Sequence, residues 1–331
     1  MGNRRPFPFR AFLLASAACV TFTCGGLAQT GPGPVITLGD GQSLSNGGVI
    51  TATSSQAVLV DGGATSIGNT GLIQATGAGG IGVQVPGAGS LASMTNGGTI
   101  QATDSGNAIL VGDTAGGSGS LGTLSNSGLI QLTGSGAAVG IGSASSVAAI
   151  VNSGTIAQGG GGAAQDAINV AGSAGVISNS GLIQGGSDGV AIRIEGTVGS
   201  ILNGPGGTIT SAPGGAGNAI YLTGSSENPP SVGTINNSGL GGQNDGSGIA
   251  IDNSTNPNTL AITNAATIIG AVKLGPAGDT LTVTGGTIAG AIIGLAGSHD
   301  VVTFSPLGTF TTDGSIADVD SINVTREESA T

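Results

Sequence analysis

The acidic residues are the first candidates for chemistry in this chain, because converging carboxylates can perform general acid–base catalysis or bind a cation. The aspartates up to residue 252 stand singly in the sequence, most of them beside Gly or Ser: Asp40, Asp61, Asp104, Asp113, Asp166, Asp188, Asp245 and Asp252. An Asp in such a position commonly accepts hydrogen bonds from the backbone amides of a turn. We therefore predict that these aspartates are structural and that the chain has no catalytic residue.

A second candidate is a group of charged and aromatic residues on one predicted strand column. The alternating segment 192–194 directs Arg193 outward, with Glu195 beside it. Tyr221 is expected one coil further in the same column, and Lys273 is a further candidate for it. An Arg beside an aromatic ring is suited to binding a sugar or a side chain of a partner. The simpler alternative is a surface ion pair between Arg193 and Glu195, worth less than about 1 kcal/mol.

The remaining candidates for chemistry lie near the C-terminus. His299 is the only histidine and precedes Asp300, but nothing in the sequence marks a nucleophile or an oxyanion hole to complete a triad. Asp279 and Asp300 lie in Gly-rich segments that loosely resemble calcium-binding nonapeptide repeats, but they lack the tandem Gly-Gly-x-Gly-x-Asp spacing of those repeats. No glycine-rich phosphate-binding motif precedes a helical pattern. We therefore predict neither a bound metal nor a cofactor.

A sequence repeat must position all of these side chains. The unit Asn-x-Gly-x-Ile, degenerate in some copies, begins at Asn46, Asn69, Asn96, Asn126, Asn152, Asn179, Asn203, Asn237 and Asn264. Each copy contains three short apolar segments bounded by Gly, Ser and Asn, which is the pattern of short β-strands. Three strands per coil of roughly 25 residues predict an all-β fold, a right-handed parallel β-helix of about ten coils.

The parity of the repeat predicts the direction of its asparagines. An aliphatic or Met residue stands two positions before each Asn, so both side chains should face inward. A buried polar group without a partner costs about 1–3 kcal/mol, whereas stacked amides can bond one another. We therefore expect the nine asparagines to form a ladder along one corner of the solenoid. The alternative is that the Asn-Gly pairs form ordinary β-hairpin turns.

The composition favours a narrow stacked core over a layered globular domain. The 331 residues include 68 Gly, no Trp, one Tyr and six Phe, so large core side chains are scarce. Hydrophobic residues still make up 38% of the chain, which argues against disorder. The net charge of −11 argues against nucleic acid as a partner, because nucleic-acid binding depends on clustered Lys and Arg.

The N-terminus has the pattern of a secretory signal peptide. Three arginines precede an apolar segment at 11–22, and small residues at Gly26 and Ala28 suit signal peptidase. Both cysteines lie within this leader, so the mature chain would have none. No later stretch is long and apolar enough to span a membrane as a helix.

Three segments follow from these patterns. They are a signal peptide at 1–28, a β-helix repeat domain at 29–310, and a C-terminal strand with an acidic tail at 311–331.

The repeats resemble the passenger domains of Gram-negative autotransporters, in particular the adhesin type. Their Asn-Ser-Gly-x-Ile blocks lie at 126–130, 152–156 and 179–183. Segments 278–288 and 300–304 resemble the final coils of such passengers, and 315–324 resembles the segment that leads toward the translocator. The family continues into an outer-membrane barrel, which is not found before Thr331. The resemblance therefore implies a truncated or split member, a precursor fragment, or a free secreted β-helix.

The resemblance also implies a function. It predicts a non-catalytic protein engaged in adhesion, exported to the cell surface, the outer membrane or the medium, or to the periplasm if no translocator exists. Expected partners are a glycan or protein of a host surface or the extracellular medium, and a separately encoded translocator barrel. Two alternatives stay open, namely a β-helix carbohydrate-active enzyme (a polysaccharide lyase or hydrolase) and an inactive truncated passenger.

Overall fold

The fold is a parallel β-solenoid. The structure, a computed structural model, describes residues 21–24, 28–113, 117–160, 165–212, 217–224, 227–242, 248–305, 311–312 and 314–325. Within these ranges the regular elements are all β-strands, without a helix, and they form three parallel sheets of 13, 12 and 12 strands. The chain passes through sheets A, B and C in turn, so that every three strands complete one coil. The predicted all-β parallel solenoid is thus confirmed.

Sheet A contains the strands that carry the repeated asparagines. Its members are β1 (Thr21–Cys24), β4 (Ser43–Asn46), β7 (Gly63–Asn69), β10 (Ser90–Asn96), β13 (Ser120–Asn126), β16 (Ser146–Asn152), β19 (Ser173–Asn179), β22 (Thr197–Asn203), β25 (Ser231–Asn237), β28 (Ala261–Asn264), β31 (Thr280–Val283), β34 (Val301–Phe304) and β37 (Ser321–Val324). The seven-residue strands β7 to β25 all bend at the same place, because the register skips one small residue in each.

Sheet B contains the strands that follow the Asn-x-Gly turns. Its members are β2 (Ala28–Gly31), β5 (Val49–Ala52), β8 (Leu72–Ala75), β11 (Thr99–Ala102), β14 (Leu129–Leu132), β17 (Thr155–Gln158), β20 (Leu182–Gln184), β23 (Thr208–Thr210), β26 (Leu240–Gly242), β29 (Thr267–Ile269), β32 (Thr287–Ala289) and β35 (Thr311–Thr312). Its outward face carries a column in which Gln74, Gln101 and Gln131 lie in register.

Sheet C contains the alternating strands on which the charged column was predicted. Its members are β3 (Ile36–Leu38), β6 (Gln56–Val60), β9 (Ile81–Val85), β12 (Asn107–Val111), β15 (Gly136–Ile141), β18 (Gln165–Val170), β21 (Ile192–Ile194), β24 (Ile220–Leu222), β27 (Ile249–Asp252), β30 (Ala271–Lys273), β33 (Ile292–Ile293) and β36 (Ile316–Ala317). The thirty strands β4 to β33 make ten complete coils of three strands, and the other strands extend the solenoid at both ends.

The core consists of inward side chains stacked in columns along the solenoid axis. The residues two positions before the ladder asparagines form one such column, and each is at most 2% exposed: Leu44, Ile67, Met94, Leu124, Ile150, Ile177, Ile201, Ile235 and Ile262. Such narrow columns need only aliphatic side chains, which explains how a chain so poor in aromatic residues forms a continuous core.

One position interrupts the aliphatic column of sheet B. Gly241 lies in register between Ile209 and Ile268, where the neighbouring coils supply an isoleucine. The missing side chain leaves a cavity of about 20 Å³, lined by these isoleucines and by Asn237. The core is therefore less well packed at this coil.

Strand β1 lies within the predicted signal peptide and pairs with β4 in sheet A. The three predicted segments and the cleavage after Ala28 stay predictions. No helix in the described ranges is long and apolar enough to cross a membrane.

Candidate functional site

The repeated asparagines form the predicted ladder. In eight successive steps from Asn46 to Asn264, the Nδ2 of one Asn donates to the Oδ1 of the next over 2.7–2.9 Å. Each of these Nδ2 groups also donates to a backbone carbonyl of the next coil over 3.0–3.2 Å. The nine side chains are at most 5% exposed. They stabilise the stacking of the coils and are inaccessible to a ligand.

The predicted charged column lies on the outward face of sheet C. Arg193 and Tyr221 are in register on β21 and β24, and the guanidinium carbon lies 5.4 Å from the centre of the Tyr221 ring. The ion pair of Arg193 is formed with Asp166 and not with Glu195, the partner considered in the alternative interpretation. Arg193 Nε donates to Asp166 Oδ2 over 2.6 Å, and Nη2 donates to Asp166 Oδ1 over 3.3 Å. Two contacts to one carboxylate hold the planar guanidinium better than the single pair predicted with Glu195.

The same column continues over two further coils. The register places Asp252 beside Tyr221, and Lys273 beside Asp252. Lys273 Nζ lies 4.0 Å from Asp252 Oδ2. We call Asp166, Arg193, Tyr221, Asp252 and Lys273 the sheet C stripe. It presents one aromatic ring between two ion pairs, and in each pair the Asp lies on the earlier strand.

Glu195 lies outside the sheet C stripe. It follows the last residue of β21 and is half-buried on the segment that turns toward sheet A. There it borders a separate open hollow of about 370 Å³, together with Thr223. Because the chain changes direction at the end of β21, the inward and outward alternation of side chains does not extend to Glu195 and does not place it beside Arg193.

Three aspartates form a second polar column, which the sequence analysis did not predict. The backbone N–H of Leu260 donates to Asp279 Oδ1 over 2.7 Å, that of Asp279 to Asp300 Oδ1 over 2.8 Å, and that of Asp300 to Asp320 Oδ2 over 3.1 Å. Each carboxylate therefore accepts the amide of the equivalent residue one coil earlier. The signal in the sequence is an Asp one residue before each of β31, β34 and β37.

The environment of Asp279, the first residue of this aspartate column, disfavours the ionised form of its carboxyl group. Burial raises the pKa of Asp279 above its ordinary value, and the nearby Asp300 carboxylate adds to the rise. Hydrogen bonds from Gly275, Asn253 and Leu260 oppose it by stabilising the ionised form. The carboxylates are thus occupied by donors of the protein itself.

His299 contacts the last aspartate of this column through its main chain. Its backbone adopts a φ of 71°, in the left-handed region, and its N–H donates to Asp320 Oδ2 over 2.8 Å. Among the described residues no group of three or more His, Cys, Asp or Glu side chains is arranged to hold a metal ion.

Comparison with known proteins gives no relative. No protein-family model, no curated protein and no solved structure matches this chain.

Proposed function

We propose that this chain is a non-catalytic, exported protein of the autotransporter-passenger type that acts by adhesion. It binds a glycan or protein of a host surface or the extracellular medium through the sheet C stripe. The observation that carries this proposal is the Arg193 guanidinium, held by Asp166 on one side and lying over the Tyr221 ring on the other. Aromatic rings and Arg side chains are the groups most enriched at the centres of binding surfaces.

The rigidity of the stripe supports binding. Its residues project from consecutive strands of one sheet, so their spacing is fixed by backbone hydrogen bonds. The Arg193 side chain is 19% exposed and is held by Asp166 before any partner arrives. A side chain that is already ordered loses little conformational entropy on binding, which favours affinity.

The adhesion proposal is tested with the double variant Arg193→Ala, Tyr221→Ala. The purified chain is applied to immobilised extracellular-matrix proteins and to a glycan array, and the bound fraction is measured. We expect at least about a tenfold loss of affinity, the size typical of a removed binding hot spot. The matched control Gln74→Ala, Gln131→Ala alters two outward residues of sheet B and should change affinity less than about twofold. Equal binding by the stripe variant and the native chain would refute the proposal.

The enzymatic alternative is tested separately. The purified chain is incubated with a panel of acidic polysaccharides, and new reducing ends or unsaturated products are measured. Cleavage above that of a buffer control would contradict the non-catalytic function.

The export part of the proposal predicts a mature N-terminus at Gln29, which N-terminal sequencing of the secreted chain checks.

A further inference from the structure

An open groove runs along the outward face of sheet A. It has a volume of about 870 Å³ and crosses six consecutive coils, from β7 to β22. It follows the bend that these strands share. One wall carries a row of hydroxyl groups in register: Ser90, Ser120, Ser146, Ser173 and Thr197. At the usual spacing of about 4.8 Å between strands, the groove is roughly 24 Å long.

Small residues at the bend keep the groove open. The residue that the register skips is Thr65, Ala92, Gly122, Ala148, Gly175 or Gly199 in the six coils. A Cβ atom on Gly122 would collide with the carbonyl oxygen of Ala92, and one on Gly175 with that of Ala148. Side chains are therefore excluded at these two glycines, the other four floor residues are no larger than Thr, and an extended chain has access to the hydroxyl row.

The groove lies beside an acidic edge. We call the segments that lead from sheet C to sheet A the C–A corner. Nine of the thirteen acidic residues in the described ranges lie on it, and the other four are Asp104, Asp166, Asp188 and Asp252. Three of the nine, Asp61, Asp113 and Glu195, lie on coils that the groove crosses, and the other six lie before or beyond it. Beside the groove itself, Asp61 and Glu195 each precede a lining residue by two positions, and Asp40 Oδ1 accepts the N–H of the lining residue Gly63 over 2.6 Å.

The acidic edge has no basic counterpart in the described part of the chain. Arg193 and Lys273 are the basic residues there, and both face aspartates of the sheet C stripe. A cleft bordered by charges of one sign raises the local concentration of oppositely charged partners. The partner that fits the groove must therefore be positively charged and extended.

We propose that the sheet A groove binds an extended, basic segment of a partner polypeptide, with its Lys or Arg side chains directed to the C–A corner. At about 3.3 Å per residue, a groove of roughly 24 Å holds about seven residues. Serine and threonine hydroxyls donate to and accept from the backbone of the segment. This surface is separate from the sheet C stripe, so the inference does not depend on the proposed function.

Titration of the purified chain into fluorescein-labelled decalysine, followed by fluorescence anisotropy, tests this inference. We expect saturable binding that weakens as salt is raised from 20 to 150 mM, because screening shortens the reach of the acidic edge to about 8 Å. Labelled decaglutamate should not bind. Absence of saturable decalysine binding at low salt would overturn the proposal.

The position of the acids is tested by two double variants of equal net charge. Asp61→Asn with Glu195→Gln removes two charges from the C–A corner beside the groove, and we expect affinity for decalysine to fall about fivefold or more. Asp104→Asn with Asp188→Asn removes two charges from the corner between sheets B and C. This matched control should change affinity less than about twofold. Equal losses in both would show that only the overall charge matters and would overturn the proposal.

The groove itself is tested by filling it without changing charge. Ala148→Trp places an indole on the groove floor, and we expect decalysine binding to fall at least about tenfold. Val151→Trp is the control, since Val151 lies on the same strand, is 41% exposed and does not line the groove. Circular dichroism verifies that both variants keep the native β-sheet content. Unchanged binding by Ala148→Trp would overturn the proposal. The Arg193→Ala, Tyr221→Ala variant should bind decalysine normally even if it has lost adhesion.

Discussion

The asparagine ladder and the aspartate column both form hydrogen bonds between successive coils, but they do so with different chemistry. The asparagine ladder continues over nine coils, whereas the aspartate column occupies the last three. An amide both donates and accepts, so each Asn satisfies the next and no charge accumulates. A carboxylate only accepts, so each Asp depends on a backbone N–H, and its charge repels the Asp of the next coil. A self-complementary side chain can therefore be repeated along the axis, whereas a charged one is limited to a few coils.

The largest effect should come from placing a carboxylate in the amide column. Asn237→Asp removes the Nδ2 donor to Asn264 Oδ1 and to the Thr267 carbonyl, and leaves a charge among acceptors. We expect the free energy of unfolding in urea to fall by about 3 kcal/mol or more. Asn236→Asp is the matched control, because Asn236 is the outward neighbour and is half-buried. Its effect should stay below about 0.5 kcal/mol. Equal effects at the two positions would contradict the structural role of the ladder.

The reverse exchange should cost less. Asp279→Asn directs an NH₂ group at one or more of the three N–H donors from Gly275, Asn253 and Leu260. It also removes the repulsion from Asp300, which offsets part of the loss. We expect the free energy of unfolding at neutral pH to fall by about 1–2 kcal/mol, measured by urea denaturation. A loss as large as that of Asn237→Asp would show that the two columns do not differ as described.

A third prediction concerns the cavity at Gly241, which lies beside Asn237 of the ladder. A Cβ atom on Gly241 would meet Asn237 Oδ1 at 3.6 Å, an ordinary contact, and would enter the cavity between the isoleucines. Gly241→Ala should therefore raise the free energy of unfolding by about 0.4–1 kcal/mol. Gly233→Ala, one strand earlier, should lower it, because its Cβ would collide with the Gly199 carbonyl. Thermal denaturation of both variants checks these opposite signs. Destabilisation by Gly241→Ala would mean that the cavity is required.

The smallest effect should be a pH dependence confined to the aspartate column. Because the pKa of Asp279 is raised in the folded chain, the folded state binds the proton more tightly than the unfolded state. The resulting stabilisation is complete below the unfolded pKa of about 3.9 and is lost as pH rises through the folded pKa. The stability difference between the native chain and Asp279→Asn should therefore shrink as pH increases above about 4. Urea denaturation of both at several pH values measures it. A difference that grows with pH would contradict the sign.

The sequence predicts the features that follow from period and parity. The inward Leu44 to Ile262 column and the Asn ladder are encoded by a two-residue offset within every copy, so the strands and their stacking could be read directly. The Asp166 contact could not, because it joins residues 27 positions apart across a turn of irregular length. The sheet A groove depends on where small residues bend the strands, and composition alone does not locate such a bend. The aspartate column was not predicted, although an Asp stands one residue before each of β31, β34 and β37.

The asparagine ladder also gives the solenoid a direction. In all eight Asn–Asn bonds the donor belongs to the earlier coil and the acceptor to the later one. Amide dipoles aligned head to tail add together and polarise one another. The N–H ends of these dipoles point toward the C-terminal coils, where Asp279, Asp300 and Asp320 lie. The aligned amides therefore act as a weak axial electric dipole whose positive pole faces the acidic end of the rod.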